Sequence, residues 1–460
     1  MSTIQQRGSG PAGTGPTTRD RRRVVFATVV GTAVEWYDFF IYAQAAALVF
    51  GTQFFAPAGE QFAQILAFIT VGISFLFRPV GAFLAGHFGD RYGRRVVLTF
   101  TLVLMGAATT VVGLLPNYAA IGIAAPALLI LMRVLQGISA GGEWGGAALL
   151  AVEHAPVTKR GLFGSAPQVG TPIGLLMASG VMALMTVVAP GEAFLAWGWR
   201  VPFLVSFVLV IVGYLVRRHV EESPVFTELA ERKQHARLPI AVLLRRHAPL
   251  LIIAALLFAG NNAVGYMTTG GFIQGYASDP EGAVRLDTGS VLAAITGSSV
   301  VWLIATFLAG ALSDRIGRRR MYLIGWVIQL AGVIAVFPLV NTGRVEMLFL
   351  GVSLLAVGLG FTYGPMSAFY SELFPASIRF SGISMSYAIG AILGGAFAPT
   401  IAQAIVQATG STSMVSVYLS GMTLIGLCAT LLLRDRSGIP LGVDQDAQHG
   451  YAPAHVLAKA

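Results

Sequence analysis

Gly86-His87-Phe88-Gly89-Asp90-Arg91-Tyr92-Gly93-Arg94-Arg95 returns as Gly310-Ala311-Leu312-Ser313-Asp314-Arg315-Ile316-Gly317-Arg318-Arg319, 224 residues further along the chain. Each copy is a short link rich in glycine and arginine between apolar runs too long for a soluble core helix. That pattern predicts a tight turn on one face of a membrane. A second pair agrees: Glu153-His154-Ala155-Pro156-Val157-Thr158-Lys159-Arg160 returns as Glu372-Leu373-Phe374-Pro375-Ala376-Ser377-Ile378-Arg379, at an offset of 219. Two motif pairs at nearly one offset predict two homologous halves.

Composition fixes the solvent. Of the 460 residues 11% are charged and 55% hydrophobic, with a mean hydropathy of +0.73, whereas a soluble chain carries about a quarter charged residues. An all-α integral membrane protein is expected. The net charge of +9 is not gathered on any candidate soluble domain, so nucleic acid is not an expected partner; the lipid bilayer is. The single cysteine, Cys428, excludes an internal disulfide framework and a cysteine-rich metal site. The 55 glycines suit closely packed membrane helices.

Residues 1–23 read as a disordered basic tail. Six apolar runs follow, from Val24 to Val216, then a polar linker over 217–248, six more runs within 249–433, and a tail over 434–460. Twelve transmembrane helices in two six-helix bundles are expected. The tail, the even-numbered links and the C-terminus hold 25 lysines and arginines, while the opposite links hold two, Arg285 and Arg344. The positive-inside rule then puts both termini in the cytoplasm of a multi-pass cell-membrane protein.

Charges inside a bilayer are costly and mark function. The first helix carries Glu35, Asp38 and Tyr42 on one face, at i, i+3 and i+7; the second carries Arg78, and the fourth Arg133, Gln136 and Glu143. At 1.5 Å per residue Asp38 and Arg133 lie about 21 and about 18 Å above the basic face. Arg78 and Glu143 lie about 24 and about 27 Å below the other. Matching depths predict two pairs, Asp38 with Arg133 and Glu143 with Arg78. Three acids against two arginines leave one carboxylate able to take up a proton. All seven histidines fall in links or the tail, so carboxylates must carry any proton. The bland alternative is that these are static ion pairs holding helices together.

The second half offers amides and hydroxyls instead: Asn261, Asn262, Tyr266 and Thr269 on helix 7, and Tyr363 and Ser367 on helix 10. They suit a polar solute, or equally plain interhelical hydrogen bonds. In the links, Asp90 among Arg91 and Arg94, and Asp314 among Arg315 and Arg318, can each be held by arginines and a helix N-terminus. With the turn glycines Gly86, Gly93 and Gly317, this predicts a cytoplasmic latch that Glu153, Arg160, Glu372 and Arg379 complete. The alternative is a basic turn that serves only topology.

The two G-x-x-x-D-R-x-G-R-R links, with Arg133-Val134-Leu135-Gln136-Gly137 on helix 4, resemble the major facilitator superfamily of transporters. Within it, Glu35-Trp36-Tyr37-Asp38-Phe39, Phe77-Arg78-Pro79-Val80-Gly81, Gly141-Gly142-Glu143-Trp144-Gly145-Gly146, Trp197-Gly198-Trp199-Arg200-Val201-Pro202-Phe203 and Glu221-Glu222-Ser223-Pro224 look like the metabolite:proton symporter family. The resemblance implies two six-helix bundles around a central cavity, alternating access, and uptake of a small solute with a proton. The proton is then the coupling ion, no other cofactor is expected, and a monomer is expected. That family takes organic acids such as 2-oxoglutarate, citrate and shikimate, aromatic acids, proline and glycine betaine; the first half looks closest to shikimate-type carriers. Arg78 and Arg133 could bind a carboxylate, which acids and zwitterions share. The short C-terminal stretch lacks the heptads of osmosensing relatives.

Two rival readings remain. A proton-driven efflux antiporter would carry a Gly-Pro-rich helix 5 motif, which Gly170-Thr171-Pro172-Ile173-Gly174 matches in part. A membrane receptor would bind without flux. No nucleotide loop, metal spacing or nucleophile constellation supports an enzyme.

Overall fold

A computed structural model describes residues 18–92, 94–217, 239–269, 271–439 and 441. Among the described residues eleven helices are long and apolar enough to cross a membrane. With the shorter apolar helix between the second and third of them they are, in chain order, α1 (Arg21–Phe54), α2 (Phe62–Ala85), α3 (Thr99–Leu114), α4 (Ala124–Glu153), α5 (Val157–Val188), α6 (Phe194–Val216), α7 (Ala248–Gly265), α8 (Thr288–Ile316), α9 (Arg318–Val340), α10 (Val345–Leu373), α11 (Arg379–Thr409) and α12 (Ser413–Leu432). No strand occurs among the described residues. Only helices close all backbone hydrogen bonds within one segment, which is what a bilayer interior demands.

The packing repeats with a shift of six. α1 packs on α5 as α7 does on α11; α2 on α4 as α8 on α10; α3 on α6 as α9 on α12. The halves meet through α5 against α8 and α2 against α11, again related by six. α6, α9 and α12 carry large exposed apolar side chains such as Phe207, Val327 and Val417, the surface a helix turns to lipid.

Glycine sets the spacing inside each half. A Cβ on Gly137 would fall 2.1 Å from the Ser74 carbonyl oxygen, and one on Gly141 would fall 2.0 Å from that of Arg78. The α2 and α4 backbones therefore touch, as small residues permit. Two expected continuous runs are interrupted. α4 turns at Gly141-Gly142 before resuming over Glu143–Glu153, and α10 breaks at Gly364-Pro365 before Met366–Leu373. Gly142 and Pro365 stand at these restarts, where glycine frees the backbone and proline lacks the N–H. The breaks lie 223 residues apart, so the interruption belongs to the repeat.

Candidate functional site

The acidic face of α1 does land in the interior, where Glu35, Asp38, Arg78, Arg133, Gln136 and Glu143 are all buried. Their partners differ from the expected pairs. Asp38 Oδ1 accepts from Ser206 on α6 at 2.5 Å, and its Oδ2 has no hydrogen-bond partner among the described residues. Arg133 donates through Nε to the Thr70 carbonyl at 3.2 Å, through Nη2 to Val71 O and Ser74 Oγ at 2.9 Å each, and through Nη1 to Gln136 Oε1 at 2.7 Å. The close approach at Gly137 explains the exchange: it brings α2 carbonyls within reach, and the guanidinium takes them in place of Asp38. Tyr42 completes this group, its ring centroid 3.9 Å from the Arg133 Cζ and its hydroxyl donating to Thr70 Oγ1 at 2.8 Å. Gln136 also donates to Thr109 on α3 at 2.8 Å.

Arg78 does not pair with Glu143. Its Cζ lies 4.3 Å from the Phe75 ring centroid, 4.6 Å from Phe39, 5.9 Å from Trp36 and 5.8 Å from Tyr387 of the other half. None of its three side-chain nitrogens has a hydrogen-bond partner among the described residues. Glu143 opens the helix that restarts after Gly142, where helix N–H groups favour a carboxylate. It acts electrostatically on Asp38, as Glu35 does on Tyr363.

At the seam, Tyr387 lies between Trp144 and Phe258, with ring centroids 4.0 and 4.2 Å away. Trp144 Nε1 donates to Gln168 Oε1 at 2.8 Å, and Gln168 Nε2 donates to the Tyr363 carbonyl at 3.2 Å. The Tyr363 hydroxyl meets Thr171 Oγ1 at 3.1 Å. Ser367 is buried beside α5, and its Oγ has no hydrogen-bond partner among the described residues. Asn261 donates to Thr362 at 2.5 Å and Asn262 to the Ala391 carbonyl at 3.4 Å; both contacts stay within the second half. The side chains of Tyr266 and Thr269 lie outside the described residues. Trp144, Gln168, Thr171 and Tyr387 were not singled out in the sequence. Trp144 and Thr171 lie within quoted motifs, but Gln168 and Tyr387 carry no local signal.

The link at Asp314 forms a latch between the halves. Asp314 accepts from the backbone N–H groups of Gly161 at 2.7 Å and Leu162 at 2.9 Å, where a new helix starts after the turn of Val157–Lys159. Arg318 donates to Asp314 at 2.8 Å and Ser313 at 2.7 Å, and forks onto both Glu372 oxygens at 3.2 and 3.3 Å. Arg160 lies 3.9 Å from Glu372, and Arg379 3.9 Å from Glu153, so each pair crosses from one half to the other. Gly317, with φ +94°, makes the turn into α9. Arg315 is exposed and has no ion pair among the described residues. The side chains of the first link, including Asp90, Arg91 and Arg94 with Gly86 and Gly93, lie outside the described residues.

The chain after α12, expected as a plain tail, docks under this latch. Arg160 Nη1 donates to the Ile439 carbonyl and Arg379 Nη1 to that of Leu441 at 3.0 Å. The Leu441 side chain is buried with Val152 and Ala368. Asp435 accepts from the N–H of Arg319 and of Ser437, both at 3.0 Å. Partial burial pushes its carboxyl up, but these N–H groups more than offset that and hold it below the ordinary carboxylate range.

Comparison with known proteins agrees. Residues 24–248 match the family described as Sugar (and other) transporter, and residues 284–453 match the Major Facilitator Superfamily. The inner membrane metabolite transport protein YhjE of Escherichia coli K12 is 41% identical over 421 residues, covering 90% of this chain and 94% of that one. The shikimate transporter of the same organism is 36% identical, over 90% of this chain and 94% of its own length. The glycine betaine/proline/ectoine/pipecolic acid transporter OusA of Dickeya dadantii is 32% identical, over 91% and 84%. Among solved structures, the proton:xylose symporter XylE bound to 6-bromo-6-deoxy-D-glucose superposes with a TM-score of 0.73 at 18% identity, covering 94% of this chain and 99% of that one. This protein, with its doubled helix packing and latch, belongs to the major facilitator superfamily: it is a multi-pass membrane transporter of small-molecule metabolites and not an enzyme.

Proposed function

We propose that the protein imports a small organic acid or zwitterion together with protons, by alternating access of two six-helix bundles over residues 24–216 and 249–433, joined by the linker 217–248. In this reading α3 completes a set of twelve membrane helices. The 1–23 and 434–460 tails lie in the cytoplasm, the latch face is the cytoplasmic face, and a monomer is the working unit. The similarity to shikimate and betaine transporters supports the solute class.

The observation that carries the reading is Asp38. Its carboxylate is buried, hydrogen-bonded to Ser206 with the Thr109 hydroxyl also close, and has no ion pair among the described residues; a buried charge in that position is costly. Uptake of a proton removes the charge. Its neighbours make the event transmissible: Ser206 ties it to α6, and one turn along α1 Tyr42 reaches α2 and lies over Arg133. Glu35 and Glu143 are the secondary acids. With the cavity open outward, Asp38 takes a proton and the solute binds between the halves. Tyr42, Gln136, Asn261, Asn262, Tyr266, Thr269, Tyr363 and Ser367 are the polar groups proposed to line its path. Closure of the outer side is followed by release of Asp314 from the α5 N-terminus, which opens the cytoplasmic side.

Purified protein in sealed liposomes tests this. An inward proton gradient is expected to drive uphill accumulation of a carboxylate solute, and a protonophore to abolish it. Expulsion of the solute under the same gradient would establish antiport instead, and binding without flux a receptor.

A further inference from the structure

We infer that Arg78 is the anchor for a carboxylate on the transported solute, that Arg133 is not, and that the solute therefore carries one carboxylate and no second. This deepens the proposed function and rests on its reading of the interior as the solute path. The two arginines are equally buried, at 1% and 0% exposure, and their donors set them apart. Arg133 has all three nitrogens committed to Thr70, Val71, Ser74 and Gln136. It joins α2 to α4, and a ligand on it would first have to break those bonds.

Arg78 has the opposite arrangement. Aromatic rings on α1, α2 and α11 surround its guanidinium, and no described residue accepts from Nε, Nη1 or Nη2. Cation–π contact offsets part of the cost of burying the charge but leaves the N–H fork unspent, and that fork matches a carboxylate bidentately. Two further buried polar groups nearby lack hydrogen-bond partners among the described residues, the Trp36 indole N–H beside Arg78 and the Ser384 hydroxyl one turn before Tyr387. They suit hydroxyl or carbonyl groups on the rest of the solute. The site lies on the seam, since Tyr387 belongs to the second half and Trp36 and Arg78 to the first. A solute seated there touches both bundles.

The limit of one carboxylate follows from charge. With Arg133 committed, and Arg200 bonded to the carbonyls of Gly113 and Leu115 at 2.9 and 2.6 Å, Arg78 is set apart among the described residues by having all three nitrogens uncommitted, whereas Arg160 and Arg379 at the latch each leave a single buried nitrogen without a partner. A second carboxylate would be buried without a cation and near Glu35, Asp38 and Glu143, an uncompensated buried charge that binding would have to overcome. A cationic group elsewhere on the solute is compatible with those acids.

Equilibrium binding to purified protein in detergent, with no proton gradient, tests the assignment. The probes are shikimate, proline, glycine betaine and 2-oxoglutarate, together with the methyl ester of each monocarboxylate. At least one monocarboxylate should bind, its methyl ester about 100-fold more weakly, and 2-oxoglutarate no better than that ester. Arg78→Gln should cost the acid about 100-fold while leaving the ester unchanged, and Arg78→Lys should recover part of the loss. Esters on the native protein keep the test valid where an Arg78 variant does not fold. Equal binding of acid and ester, tight binding of 2-oxoglutarate, or no binding by any of the four acids would overturn the inference. Gradient-driven uptake is a separate readout: its loss with the binding pattern intact counts against proton coupling alone.

Discussion

Arg318 and Arg78 are each 1% exposed, yet they solve the burial of a guanidinium in opposite ways. Arg318, on the latch, donates to Asp314, Ser313 and both oxygens of Glu372, and the neighbouring cations are answered by Glu153, Glu372 or backbone carbonyls. Arg78, in the interior, is surrounded by rings and keeps its donors. The acids divide likewise: Glu372 is gripped by arginine, while Asp38 has hydroxyls and no ion pair among the described residues. Charges that answer one another hold a conformation, and charges left unanswered inside a membrane protein are available to a proton or a solute. The latch is thus the place to alter stability, and the interior the place to alter coupling.

The largest effect that could break this contrast is at Asp38. Asp38→Asn retains the shape and the Ser206 contact but cannot titrate. It should abolish proton-driven accumulation while sparing solute exchange between equal pools, with little change in unfolding temperature. Undiminished uphill uptake would remove Asp38 from the coupling path. Next in size is Glu372→Gln, which leaves Arg318 and Arg160 facing a neutral amide. Breaking a buried pair of this kind costs about 3–5 kcal/mol, readable as a lower unfolding midpoint in detergent. Unchanged stability would mean that the latch is not held by charge.

Much of the latch is legible in the sequence because it is written in charges and glycines at fixed spacing. Asp314 between an arginine and a helix N-terminus follows from the motif, and Glu153, Arg160, Glu372 and Arg379 follow from its companion. The helices are legible too, since a bilayer demands long apolar runs. The interior partners are not. Depth along a helix follows from counting residues, whereas rotation about the axis depends on the contact at Gly137 that lets Arg133 reach α2. Depth alone therefore pairs Asp38 with Arg133 and Glu143 with Arg78, and both pairings fail. Tyr387 and Gln168 escape notice because nothing local separates them from ordinary interior residues. The docked C-terminal stretch escapes because its contacts with Arg160 and Arg379 are made by backbone carbonyls, which every residue possesses.

That stretch supplies a third and smaller test of the saturated region. Deleting residues 435–460 withdraws the carbonyls that Arg160 and Arg379 use and the buried Leu441 side chain. Orphaning buried donors costs about 1–3 kcal/mol, and the low end is expected because water can enter at this face. The readout is amide hydrogen exchange at Gly161 and Leu162, which should speed up as the latch loosens, with proton coupling retained. Unaltered exchange would make the docked segment a bystander.

The smallest expected effect asks whether even the exposed rim of the latch follows the saturated pattern. Asp435 sits on the surface and accepts from the N–H groups of Arg319 and Ser437, which hold its carboxyl below the ordinary value of 3.8. A depressed carboxyl stabilises the folded form at pH values above the unfolded pKa, and that contribution is lost as pH falls through the folded value. Comparing the native protein with Asp435→Asn by thermal unfolding at stepped pH should therefore show the native protein ahead near neutrality and the two converging below about pH 4. Solvent screening at this exposed site limits the difference to a few tenths of a kcal/mol. A gap that instead widened as pH fell would mean that the carboxylate is tolerated at the start of α9 without being held there, and the saturated region would then end at Arg318 and Glu372.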